Sequence, residues 1–99
     1  MKKEIDKSFG LFLKELRKGK GVSIKKLGSQ LDINYSYISK LENSHTLPSE
    51  DLIKKIATIF DYDEEELMLR AGKIPDDIIE ILRDNPKKAV KFLRRKFEG

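Results

Sequence analysis

A chain of 99 residues is long enough for one domain with a modest core, and the lack of any cysteine, with a single histidine, leaves thiol nucleophiles, Ser-His triads and His- or Cys-rich metal sites without their parts. Apolar and charged residues each make up 38 % of the chain, which suits a charged, folded domain; no apolar run approaches the ~18 residues of a membrane span. The net charge of +4 is uneven: residues 1–47 hold ten basic against five acidic residues, residues 48–86 five against eleven, and residues 87–99 six against one, so the basic blocks suit either a polyanionic partner or a solvated lysine-rich surface.

Helical periodicity runs through the whole sequence, and no segment alternates as a strand does. Ser8 is placed to cap a first helix reaching about Gly19, with Phe9, Phe12, Leu13 and Leu16 as its apolar stripe. Gly19, Lys20 and Gly21 break it. A second helix starts at Ser23, turns Ile24, Leu27 and Leu31 inward and stops near Asp32. Asn34 caps a third from Tyr35 to Asn43, with Ile38 and Leu41 inward. Residues 44–49 form a loop, and Ser49 caps a fourth helix over about 50–60 that buries Leu52, Ile53, Ile56, Ala57 and Phe60. Asp63 caps a short fifth helix whose acidic start, Glu64 to Glu66, suits its positive end and whose apolar part is Leu67, Met68 and Leu69.

Two appended helices follow Arg70 to Lys73. Pro75 opens the first, which carries Ile78, Ile79, Ile81 and Leu82; Asn85 and Pro86 repeat the cap-then-proline signal for the second, with Val90, Leu93 and Phe97 on one face to about Phe97. The expected architecture is all-α, with a five-helix domain over residues 1–71 and a helical extension over 72–99.

Two helices of eight or nine residues joined by three or four is the helix-turn-helix spacing, here over about residues 23–43. So short a link sets the second helix across the first and leaves its amino end protruding, able to enter a major groove ~12 Å wide. Tyr35, Ser36, Ser39 and Lys40 point away from Ile38 and Leu41, offering an aromatic face, hydroxyls and one ammonium. The helix ends at Ser23 and Asn34 each suit a phosphate oxygen.

Leu16-Arg17, Val22-Ser23, Leu27, the run Tyr35-Ser36-Tyr37-Ile38-Ser39-Lys40-Leu41-Glu42-Asn43, Leu47-Pro48-Ser49, Leu52, Ile56-Ala57 and Leu67 resemble the Cro/C1-type (XRE-family) helix-turn-helix regulators over about residues 9–70. The resemblance implies a five-helix lambda-repressor-like domain, dimeric on operator DNA; from the residue inventory no catalytic residue, cofactor or metal is expected. By position it gives Tyr35, Ser36, Ser39 and Lys40 base-reading roles, and Ser23, Asn43, His45 and Thr46 phosphate-positioning ones. Arg17 and Glu42 match a salt bridge that ties the first helix to the recognition helix. Three positions depart from the pattern. Ile24 replaces a glutamine that touches DNA in many members, and Lys25 or Tyr35 can substitute for its contact; Lys25 accordingly joins the phosphate-positioning set. Gly28 stands where alanine is usual, at a cost of up to ~1 kcal/mol in helix propensity. Asp32 takes the turn's usual glycine, a small strain.

Plainer roles are also open. Tyr37 can cover the core, His45 can be polar surface, the carboxylates of 63–66 can be a solvated helix start, and the Lys and Arg residues of 87–96 suit a solvated face better than DNA. No Gly-rich phosphate loop is present, and the reading is a non-enzyme. The function expected is a homodimeric regulator, a repressor more often than an activator, reading a near-palindrome in double-stranded DNA. Ile74, Ile78, Ile81, Leu82, Leu93 and Phe97 exceed what a finished five-helix domain needs; they either form the dimer contact with the fifth helix or pack back on their own core. A second reading makes the chain an antitoxin or adaptor that binds a protein partner through residues 72–99. Met1 to Lys7 lack the apolar stretch of a secretion signal, and a cytoplasmic, nucleoid-associated protein with no membrane association is expected.

Overall fold

The computed structural model describes residues 5–98, with side chains from Phe9 onward; Met1–Glu4 and Gly99 lie outside the described residues. Seven helices and no strand make up the described chain: α1 (Ile5–Gly19), α2 (Ile24–Leu31), α3 (Tyr35–Glu42), α4 (Glu50–Phe60), α5 (Glu64–Arg70), α6 (Asp76–Asp84) and α7 (Pro86–Phe97). Each of α2 to α5 starts where a side-chain oxygen takes an orphan amide of the first turn. Ser23 Oγ accepts from the Lys26 amide at 3.0 Å, Asn34 Oδ1 from Ser36 at 2.8 Å, Ser49 Oγ from Leu52 at 3.1 Å and Asp63 Oδ2 from Glu66 at 2.9 Å. Two expected caps do not act that way. The backbone of α1 is already helical from Ile5, so Ser8, whose side chain is outside the described set, lies inside the helix; Ile5 continues the apolar spacing one turn before Phe9. Asn85 turns its amide back to the Ile81 carbonyl at 3.1 Å, closing α6 rather than capping α7. Pro86 at the first position of α7 begins that helix unaided, its φ already helical and its amide donor absent.

The core draws on the first five helices. Phe9 and Leu13 of α1, Leu27 and Leu31 of α2, Ile38 and Leu41 of α3, the five expected residues of α4, and Leu67, Met68 and Ala71 form one buried cluster. Helix α3 packs on both α1 and α2, α4 on α2 and α5, and α5 closes back on α1. Ile24 is only partly buried at the edge of this cluster. Leu69 is 54 % exposed, because the short α5 turns Leu67 and Met68 inward and cannot bring three consecutive residues to one face. The α1–α5 seam is finished by an edge-on contact of the Phe12 and Tyr62 rings, 5.1 Å between centroids. The Arg70 guanidinium lies 4.0 Å above Phe12. Tyr62 donates its hydroxyl to Glu66, which holds the phenol above its ordinary pKa.

Two contacts fix α3 in place. A Cβ added at Gly10 would stand 2.6 Å from the Leu41 carbonyl oxygen and 2.7 Å from that of Glu42, so α1 lies directly on the last turn of α3. One helical segment further on, Arg17 donates to Glu42 through Nε at 2.7 Å and Nη2 at 3.0 Å, and through Nη1 to the Val22 carbonyl at 3.0 Å. Both residues are buried, at 8 % exposure each. The hydrogen bonding to Glu42 raises the Arg17 pKa against the opposing effect of burial. Gly28 makes the matching approach on the other side: a Cβ there would meet the Ile33 carbonyl oxygen at 2.8 Å. The glycine in place of alanine is thus required by the tight turn, where the Ile33 amide returns to the Gly28 carbonyl at 2.9 Å. Asp32 ends α2 in the left-handed region at φ 60°, as Asp61 ends α4 at φ 52°.

Helices α6 and α7 fold on each other as a hairpin beyond Gly72, and neither buries a residue. The chain has a radius of gyration of 15.6 Å, against about 13 Å for a compact domain of this length, and measures 46 × 28 × 22 Å.

Four variants check this account by urea unfolding. Gly10→Ala is expected to lose about 1–3 kcal/mol, since the carbonyls it meets are backbone and cannot step aside. Glu42→Gln is expected to lose about 3–5 kcal/mol by leaving a buried guanidinium without its charge partner, and Arg17→Met with Glu42→Leu should recover most of that loss. Asp32→Gly is expected to gain up to about 1 kcal/mol by removing the left-handed strain.

Candidate nucleic-acid interface

The amino end of α3 projects from the fold because α2 and the Asp32–Asn34 turn hold it crosswise while its other end is clamped to α1. Asn34, Tyr35 and Ser36 are all exposed, Tyr35 at 51 %. Tyr37, by contrast, packs half-buried against the core, which is the plainer of its two roles. Beside the protruding end is an open niche of about 530 Å³ bounded by Arg17, Ser23, Ile24, Lys25, Tyr35, Ser36 and Ser39. It joins three of the four residues assigned to base reading with two of those assigned to phosphates. Lys40 lies outside the niche on an exposed part of α3, and Asn43, His45 and Thr46 follow the helix's far end. The candidates therefore fall into two groups, one at each end of an eight-residue helix.

Local hydrogen bonds already orient several of these groups. Ser36 donates its hydroxyl to Asn34 Oδ1 at 2.8 Å, the oxygen that also takes its own amide. Asn43 Nδ2 lies 3.5 Å from Ser39 Oγ, a long contact that leaves the Ser39 proton available. The His45 amide returns to the Lys40 carbonyl at 2.8 Å, so the loop after α3 is tied to the helix by its backbone and its imidazole stays exposed. Lys25 Nζ lies 5.5 Å from the centre of the Tyr35 ring, a weak cation–π contact across the turn. The amides at both helix ends are partly spoken for by the Ser23 and Asn34 caps, so each end keeps fewer donors for an outside oxygen than an uncapped helix would.

Ile24, expected to face inward, packs partly buried against the core and at the same time lines the niche from the start of α2. The mismatch with the polar residue common at that position was the available signal. Gly10 escaped notice altogether: a glycine within a helical stripe, serving no turn, signals a close backbone approach. Among the described residues no group of His, Cys, Asp and Glu could hold a metal ion, and no helix is long and apolar enough to cross a membrane.

The geometry has counterparts among known proteins. The helix-turn-helix family HTH_3 matches residues 13–67, from the middle of α1 to the buried Leu67 of α5. The restriction-modification controller protein C.AhdI from Aeromonas hydrophila is 34 % identical, with a TM-score of 0.58 over 63 % of this chain and 94 % of its own. The clp gene regulator ClgR from Corynebacterium glutamicum shares the fold along 100 % of both chains, with a TM-score of 0.62 at 16 % identity. An HTH_3 family transcriptional regulator from Vibrio cholerae overlays with a TM-score of 0.57 at 18 % identity, over 66 % of this chain and 36 % of its own. Curated protein sequences contain no match. With more than half of the chain matched and the clamped, protruding helix in its place, the protein belongs to the HTH_3 (XRE-type) helix-turn-helix family and is a non-enzymatic, DNA-binding regulator of transcription.

Proposed function

We propose that the protein is a repressor that binds a near-palindromic operator as a homodimer, with α3 of each copy in successive major grooves about 34 Å apart. The observation that carries this reading is the open amino end of α3, where Tyr35 and Ser36 are exposed. Tyr35, Ser36, Ser39 and Lys40 read base edges; Ser23, Lys25, Asn43, His45 and Thr46 hold the backbone. The likeness to C.AhdI, a restriction-modification controller protein, supports a controlling role. Residues 72–99 serve as the extension that joins two copies. Such a regulator works in the cytoplasm, on the nucleoid.

Lys25 gives this reading a specific shape. In the free protein its ammonium sits near the Tyr35 ring, at the mouth of the niche where the flank of a groove would pass. Moving it to a phosphate exchanges a weak cation–π contact for a charge-assisted hydrogen bond and releases a counterion. Ile24, lacking the amide of a glutamine, adds apolar surface to the same wall of the niche.

Selection from a random-sequence DNA pool tests the proposal, and a two-fold-symmetric site is the expected outcome; no enrichment over several rounds would overturn it. On the selected site, Ser39→Ala and Lys40→Ala should each lose about 1–3 kcal/mol and relax the preference at one position per half-site. Lys25→Ala should weaken selected and scrambled DNA alike and lower the salt slope by about one.

A further inference from the structure

We infer that the α6–α7 hairpin docks on the hairpin of a second copy to form a four-helix bundle in which the acidic α6 lies against the partner's basic α7. This rests on the homodimeric reading above and supplies its contact. The hairpin carries an apolar groove of about 400 Å³ along Ile78, Ile81, Leu82, Ala89, Phe92 and Leu93. Phe92 is 60 % exposed and Ile81 53 %. Of the residues expected at a dimer contact, Ile78, Ile81, Leu82 and Leu93 line the groove, and Ile74 and Phe97 do not.

Two observations choose a second copy as occupant. The first is area. The chain exposes 7264 Å², against about 5800 Å² for a compact monomer of its mass. The excess is more than the roughly 800 Å² that each partner buries in a standard interface. The second is charge. Helix α6 holds four acidic residues against Arg83 alone, and α7 holds six basic residues and no acidic one. The charges border the apolar face in matching register: Asp77 and Asp84 stand four before and three after Ile81, Lys88 and Arg95 four before and three after Phe92.

A two-fold axis makes any hairpin-to-hairpin contact self-complementary, so the surface must satisfy itself. Pairing α6 with α6 and α7 with α7 would set like charges together along both seams. Pairing α6 with the partner's α7 sets every seam between opposite charges and closes the groove over itself. The extension thereby becomes a second core, shared between chains, of the kind four-helix bundles build.

Sedimentation of the full chain at micromolar concentration is expected to give twice the 11.5 kDa protomer mass. Phe92→Ser should raise the dimer dissociation constant at least about tenfold with the far-UV dichroism of the monomer unchanged. Because the chain has no cysteine, introduced ones report neighbours without background. Asp77→Cys or Asp84→Cys chains, mixed with Lys88→Cys or Arg95→Cys chains and mildly oxidised, should cross-link several-fold more than any variant alone. Predominant cross-linking of the α6 variants with themselves would overturn the arrangement, and this readout holds even if the serine variant fails to fold. A monomer at concentrations on the order of 100 µM, or one that pairs only with a different protein through residues 72–99, would overturn it as well. A monomer that still selects an operator removes the dimer and this interface but leaves the DNA-binding reading, whereas a dimer that selects no DNA removes the DNA-binding reading but leaves the interface.

Discussion

The position of α3 depends on how closely α1 can approach it. Gly10 lets the backbone of α1 rest against the carbonyls of Leu41 and Glu42, and the Arg17–Glu42 pair then closes the same seam with two charge-assisted bonds. Neither contact lies at the exposed end of α3, yet both decide where that end points. A helix of eight residues has too few hydrogen bonds to hold its own orientation. Clamping its carboxyl end, while α2 and the turn support its middle, leaves the amino end as the part free to meet a ligand. The buried ion pair is costly to form and costly to break singly. Its value here is directional, since a bidentate fork accepts only a narrow range of helix positions.

The same logic explains the glycine in α2. Gly28 loses helix propensity relative to alanine, but a methyl group would strike the Ile33 carbonyl and push the two helices of the motif apart. Asp32 and Asp61 show the complementary compromise, two aspartates held at positive φ where glycine would be relaxed. Close approach is therefore obtained with glycine inside the helices, while the turns that end them tolerate strain.

Much of this was legible in the sequence. The caps Ser23, Asn34, Ser49 and Asp63 and the stripes of α1 to α4 follow from hydrogen-bonding chemistry and a 3.6-residue period, both local, and they placed five helices and the motif among them. The pairing of Arg17 with Glu42 is not local, and it came only through likeness to a family. What escaped was set by tertiary approach or by competition between neighbours. Gly10 serves the end of a helix, Leu41 and Glu42, that lies 31 and 32 residues further along the chain. Asn85 had two helix ends to serve and closes the earlier one. Phe92 was passed over for the neighbouring stripe of Val90, Leu93 and Phe97, because on a two-helix hairpin with no core behind it more than one face can be apolar, and periodicity does not rank them. Ile24 sits at the boundary between core and niche, a distinction that hydrophobicity does not make.

The Asn34 cap has a consequence for hydrogen-bond polarity. Ser36 spends its hydroxyl proton on the Asn34 cap oxygen, so the Ser36 Oγ itself has only lone pairs left to offer outward. A base edge meeting Ser36 while the cap holds must supply the proton itself. Adenine N6 and cytosine N4 can do so in the major groove, and the oxo groups of guanine and thymine cannot. If α3 meets DNA as proposed, the exposed cap residue beside Ser36 would in this way restrict what that serine can recognise.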